Sequence, residues 1–142
     1  MSAECGTRNA ERLRYVKRGE IHNYLTHTKM RKESIIEKKT FDFALQIIRV
    51  YKKLVSEKEF TISQQLLRSG TSIGANVAEG ERGQTKADFL AKMNIALKEA
   101  NETKYWLRLL VATEYIGEEA DALVSELEEI ISILVAITKC KI

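Results

Sequence analysis

The chain has 142 residues, 30% of them charged, with a formal net charge of +3 and no proline. That length suits one domain burying roughly two-thirds of its unfolded surface. The lack of proline, sparse aromatics and abundant Ala, Leu, Ile, Glu and Lys favour long helices joined by short connections.

Residues 1–29 hold six Lys/Arg against three acids, so the remaining 113 residues carry 17 of each sign and the excess sits in the tail. This weakens bulk charge as an argument for nucleic-acid binding. The tail lacks sustained periodicity and reads as poorly ordered, with at most a helical turn around residues 11–17. Met30 opens "MRKES" directly ahead of the first periodic segment. Translation is expected to begin there, residues 1–29 being a mis-assigned upstream extension. The tail also lacks the apolar region of a secretory signal, and no apolar run approaches the ~20 residues that span a bilayer. Cys5 and Cys140 form no C-x-x-C pair and no disulfide framework. A soluble cytoplasmic protein with reduced thiols is expected.

Residues 30–142 then divide into four helical segments, at about 34–56, 61–79, 86–114 and 118–139. The first opens with the capping box Ser34-x-x-Glu37 and carries the stripe Ile36, Phe43, Ile47, Val50 or Tyr51, and Leu54. The second opens at Thr61 with Gln64 as box partner, and its inward line is Ile62, Leu66, Ser69, Ile73, Asn76 and Gly80. The third opens with Thr85-x-x-Asp88 and has the cleanest stripe: Phe89, Met93, Ala96, Ala100, Thr103, Leu107 and Leu110. Gly117 breaks the chain before the fourth, which presents Ala120, Leu123, Leu127, Ile130, Leu134 and Ile137. The fold class that follows is all-α: an antiparallel up-down-up-down four-helix bundle behind a basic tail.

Four of the seven glycines fall within "SGTSIGANVAEGERG", residues 69–83. Neither a P-loop nor a dinucleotide spacing occurs, the preceding residues lie in helical register, and Glu79 and Glu81 would repel a phosphate. Gly70, Gly74 and Ala78 instead plane one edge of a helix so that another can approach closely, within the bundle or between subunits. Asn76 stands where a hydrophobe would, either fixing register or oligomer state or bonding a neighbouring helix or water. Gly80 and Gly83 read as helix terminator and turn.

Catalytic chemistry is missing. His22 and His27 are the only histidines and both lie in the tail, so di-iron, zinc and Ser–His or Cys–His arrangements lack their residues. Glu99 and Glu102 flank the third stripe and are expected to pair with Lys98 or a neighbouring subunit. The chain reads as non-enzymatic, with no catalytic, metal or cofactor site. Charge separates by helix: residues 31–58 have eight Lys/Arg against four acids, and residues 117–142 have six acids against two Lys. Lys38, Arg49 and Lys52 share a narrow sector of the first helix, with Lys39 and Lys53 alongside. One reading is two complementary solvated faces; the other is a basic stripe for RNA or DNA phosphates, joined by Arg68 and Arg82.

At "LLRSGTSIGANVAEGERG" and "FLAKMNIALKEANETKYWLRLL" the chain resembles the four-helix proteins encoded in intervening sequences of bacterial 23S rRNA genes, once labelled S23 ribosomal proteins. Gln65, Leu66, Arg68, Ser72, Ile73, Asn76, Ala78, Glu79 and Gly80 carry the likeness, with Phe89, Ala96, Glu99, Ala100, Glu102, Trp106 and Leu107. The resemblance implies a homopentamer and extends to a retroelement accessory protein that binds nucleic acid and a reverse transcriptase. Gly70, Gly74, Asn76, Ala78, Glu79 and Trp106 are the candidates for helix or oligomer packing. Two roles follow: an oligomeric bundle associating with structured RNA, or a protein-interaction module that binds no nucleic acid.

Overall fold

Residues 33–139 are described by the computed structural model, which folds them into α1 (Ile35–Ser56), α2 (Thr61–Glu81), α3 (Lys86–Ala112) and α4 (Glu119–Lys139). The tail with its expected helical turn, Met30, both histidines and both cysteines lie outside the described residues. Each helix packs on its sequence neighbours, and α1 closes the bundle against α4. Partner positions run in opposite directions: Ser34 reaches Glu81 while Ile47 faces Gly70, and Lys39 meets Glu129 while Lys53 meets Glu119. Neighbouring helices are therefore antiparallel, in the expected up-down-up-down order.

The helix starts follow local chemistry. Ser34 Oγ accepts from Glu37 N–H at 3.2 Å and donates to Glu81 Oε1 at 2.7 Å, tying the start of α1 to the end of α2. Thr85 Oγ1 accepts from Asp88 N–H at 3.1 Å at the start of α3. At α2 the expected Thr61–Gln64 box is replaced. Phe60 is the N-cap residue and offers no side-chain bond. Buried Glu59 instead lays its carboxylate over the first turn, accepting from Thr61, Ile62 and Ser63 N–H at 3.1, 2.8 and 2.6 Å. Burial alone would raise the Glu59 pKa, but these amide bonds outweigh it and hold the carboxyl below the ordinary glutamate value.

α1 and α3 end without glycine. Lys58 and Glu114 both take left-handed backbone, φ 64°. Glu59 N–H then reaches Leu54 O at 2.9 Å and Lys58 N–H reaches Val55 O at 3.0 Å. Tyr115 and Glu114 repeat the pattern on Leu110 and Val111, at 3.0 and 3.1 Å. Both are Schellman closures. Gly117 thus lies beyond a break that Glu114 has already made.

The core gathers the expected stripes. Met93, Ala96, Ala100, Thr103, Leu107 and Leu110 of α3 are buried, as are Ala120, Leu123, Leu127, Ile130 and Leu134 of α4. On α1 the stripe also takes in Thr40, whose hydroxyl donates to Ile36 O at 2.8 Å. On α2 the inward line needs correcting. Val77, one position past Asn76, is fully buried. Asn76 is only half-buried, and its amide donates within its own helix to Ser72 O at 2.8 Å and Ser72 Oγ at 3.2 Å. Gly80 likewise is no terminator. It lies buried inside α2, where a Cβ would meet Lys92 Cβ at 3.0 Å and Met93 Cε at 3.1 Å.

Candidate functional site

Two surfaces concentrate the residues singled out by sequence: the small-residue edge of α2 and the basic face of α1. The edge is spent inside the chain. A Cβ on Gly70 would stand 2.8 Å from Ile47 Cγ1 and Cγ2, and one on Gly74 would stand 3.2 Å from Thr40 O. Ala78 continues this side of α2, half-buried. The planed edge lets α1 and α2 approach at van der Waals distance, which a side chain there would prevent. Glu79 points away from the core and pairs with Lys92 at 2.7 Å.

On α1 the cations have divergent partners. Lys39 Nζ lies 2.8 Å from Glu129 Oε2, and Lys53 Nζ lies 2.6 Å from Glu119 Oε1, both pairs bridging α1 to α4. The hydrogen bond to Glu129 raises the Lys39 pKa, and that to Glu119 raises Lys53. The two glutamates shift downward for the same reason. Between these pairs Gln46 donates to Glu126 at 2.7 Å. Lys38 pairs along its own helix with Asp42 at 2.8 Å. Arg49 and Lys52 are exposed and form no ion pair among the described residues.

Arg68 stands apart from that face. Its guanidinium reaches across to α3, bonding Glu99 at 3.3 Å and also Glu102. Trp106 Nε1 donates to the same Glu102 carboxylate at 3.1 Å, and the Trp106 ring packs edge-on to Tyr105 with centroids 5.2 Å apart. Glu99 and Glu102 therefore pair with α2 of their own chain, not with Lys98. Arg82 donates to Ala78 O at 3.2 Å and lies 3.6 Å from Glu37 Oε1. The structure brings Lys38, Arg49 and Lys52 together and leaves Arg68 and Arg82 in separate networks.

Among the exposed apolar side chains of α1 that the charge pattern hides are Phe41 (60% exposed) and Leu45 (41% exposed). They were detectable: they sit four apart and out of phase with the stripe of Ile36, Phe43 and Ile47. With Lys38, Arg49 and Lys52 they form one outward row at spacings of three, four, four and three. Across the molecule, a shallow groove of about 620 Å³ runs between the C-terminal part of α3 and the N-terminal part of α4. Among the described residues every buried side-chain N and O atom has a hydrogen-bond partner, no three His, Cys, Asp or Glu groups converge as a metal site would need, and no helix is long and apolar enough to cross a membrane.

Comparison with known proteins agrees with this architecture. Residues 32–136 match the family of 23S rRNA-intervening sequence proteins. The chain belongs to that family. Among solved structures it is similar to a protein with unknown function from the S23 ribosomal protein family of Bacteroides thetaiotaomicron VPI-5482. The two share 51% identity and a TM-score of 0.72, over 74% of this chain and 99% of that one. No curated protein matches. The family match begins at the residues just ahead of α1 and ends in the last turns of α4, so it covers the bundle and both candidate surfaces.

Proposed function

We propose that this intervening-sequence family member works by assembly, as a non-catalytic helical bundle that associates with further copies of itself. The observation that carries this reading is the Phe41–Leu45 pair, an apolar feature set among cations on a face the bundle does not cover. The two neighbouring carboxylates of α3 are taken up within the chain, since Glu99 and Glu102 are both engaged by Arg68. Sedimentation velocity over a wide concentration range tests it. Species at multiples of the 16.2 kDa chain mass are expected, and the pentamer implied by the resemblance would sediment at five times that mass. A monomer at every concentration refutes the reading.

A second reading, association with structured RNA, is favoured by Arg49 and Lys52, whose charges no carboxylate among the described residues takes up. Lys39, Lys53 and Arg68 contribute less to it, because protein carboxylates already hold them. Binding measured against salt would fall by about 0.9 log units per log unit of salt for each duplex phosphate contacted. Binding unaffected by Arg49→Glu/Lys52→Glu sinks this reading. Both readings draw on one face of α1, so RNA and a second copy would compete for it.

A further inference from the structure

We infer that the row Lys38, Phe41, Leu45, Arg49 and Lys52 of one copy seats in the α3–α4 groove of another. This rests on the self-association reading and names its two faces. The row is apolar at its centre, with Lys38, already paired with Asp42, at one end and Arg49 and Lys52, which form no ion pair among the described residues, at the other; all five side chains are exposed. The groove offers the complement. Tyr105, Val111 and Val124 supply apolar wall, while Asp121 and Glu128 line its α4 side. Asp121 makes no side-chain bond among the described residues, whereas Glu128 is shared with Lys104 at 3.0 Å. Arg108, on the α3 side of the groove, repels the row's cations and directs them towards the carboxylates of α4.

Each part of the match has a separate physical role. Desolvating Phe41 and Leu45 against Tyr105, Val111 and Val124 supplies affinity, since apolar burial is the main favourable term in association. The flanking charges favour seating the row on the α4 side of the groove, by its carboxylates, and disfavour seating it against Arg108 on the α3 side. The row and the groove are different surfaces on different helices, so the contact is heterologous. Every copy gives its row to one neighbour and its groove to the next, which builds a closed ring or an open chain and not an isolated two-fold dimer.

Complementary knock-outs test this. Phe41→Glu/Leu45→Glu removes the row and keeps the groove; Val111→Arg/Asp121→Arg removes the groove and keeps the row. All four positions are exposed, and circular dichroism checks that each variant stays helical, with Phe41→Ser/Leu45→Ser as a milder row variant. Each variant alone is expected to associate roughly tenfold or more weakly than the natural chain. Mixed at equal concentration, they should form a one-to-one dimer that grows no further, because one intact row meets one intact groove. A natural chain that is monomeric throughout overturns the assembly reading and this inference together. A natural chain that assembles, with row and groove variants assembling equally well, overturns the inference alone. Failure of the mixture to dimerise overturns it as well. So does a row variant that keeps its assembly while losing affinity for structured RNA, since the row would then be an RNA surface.

Discussion

α1 is held by its two neighbours in opposite ways. Against α2 the contact is made of size: Gly70 lies under Ile47 and Gly74 lies under the Thr40 backbone, with no room for a Cβ at the first position. Against α4, beyond the shared core, it is made of charge at the surface, through Lys39–Glu129, Gln46–Glu126 and Lys53–Glu119. A seam of fitted volumes is short-ranged and indifferent to salt, and it fails when a single methyl is misplaced. A seam of exposed ion pairs is screened, adjustable and individually weak. The difference teaches where the bundle tolerates change: the α1–α4 side can exchange charges freely, and the α1–α2 side cannot exchange atoms.

The largest effect should come from the size seam. Ile47→Ala removes the side chain packed over Gly70 and is expected to destabilise by about 2–5 kcal/mol. Gly70→Ala drives a methyl to within 2.8 Å of the Ile47 branches and should cost about 1–3 kcal/mol, despite the helix propensity gained. The double variant should cost clearly less than the two together, because the new methyl enters the space that Ile47 vacates. Urea denaturation of all four chains closes the cycle. Strict additivity would mean that the two groups do not meet.

Next comes Glu59, which orders the turn leading into that seam. Glu59→Ala strands three amide donors at the start of α2 and should cost about 1–3 kcal/mol. Its pH dependence has a definite sign. The folded pKa is depressed, so the contribution is complete above the unfolded glutamate value of about 4.3 and is lost as pH falls through the lower folded value. The stability gap between natural and variant chains should therefore be flat near neutrality and narrow on acidification. A gap that widened in acid would show that the carboxylate is not stabilised as its three bonds require.

Much of this was legible in the sequence, and the exceptions share a cause. The stripes of α3 and α4 could be read because their inward positions keep an unbroken three-four spacing, from Phe89 to Leu110 and from Ala120 to Ile137, with no residue out of phase. On α2 the apolar signal is diluted by Ser69, Gly70, Gly74 and Ala78, so the four-three count drifted by one residue and took Asn76 for Val77. A glycine late in a helix usually ends it, which is what the sequence at Gly80 suggests, and only the positions of Lys92 and Met93 reveal that it is a contact. The opposite charges of the first and last helices were plain, but pairing Lys39 with Glu129 requires the antiparallel register that only folding supplies. Phe41 and Leu45 sit between Lys38 and Arg49, so a reading of that face by charge hides them.

Smaller than either loss is a gain at the loops. Lys58 joins α1 to α2, Glu114 joins α3 to α4, and each holds a left-handed φ of 64° that glycine adopts without steric penalty. Lys58→Gly and Glu114→Gly should each raise stability, by up to about 1 kcal/mol, net of the extra freedom glycine has when unfolded. Calorimetric melting checks the direction. A fall in Tm at either site would show that the side chain contributes more than its backbone strain costs.

The charge seam should give the smallest response and the one most easily removed. Lys39→Ala and Lys53→Ala each delete a bridge whose two ends are substantially exposed, so each should lower Tm less than any change in the size seam does. The pKa directions define when the bridges act. Glu119 and Glu129 are depressed, so their share is lost as pH drops through their folded values; Lys39 and Lys53 are raised, so theirs is lost as pH climbs through the raised lysine values. Between those limits the bridges are fully formed, and only salt weakens them. Melting in low and in roughly 1 M salt, where the screening length falls to about 3 Å, should therefore erase the Lys39→Ala and Lys53→Ala differences while leaving those of Gly70→Ala and Ile47→Ala in place. The exchange Lys39→Glu/Glu129→Lys should restore what either single change removes at low salt. If the lysine variants kept their full effect in high salt, the seam would be held by packing of the lysine stems, and the contrast between the two sides of α1 would collapse.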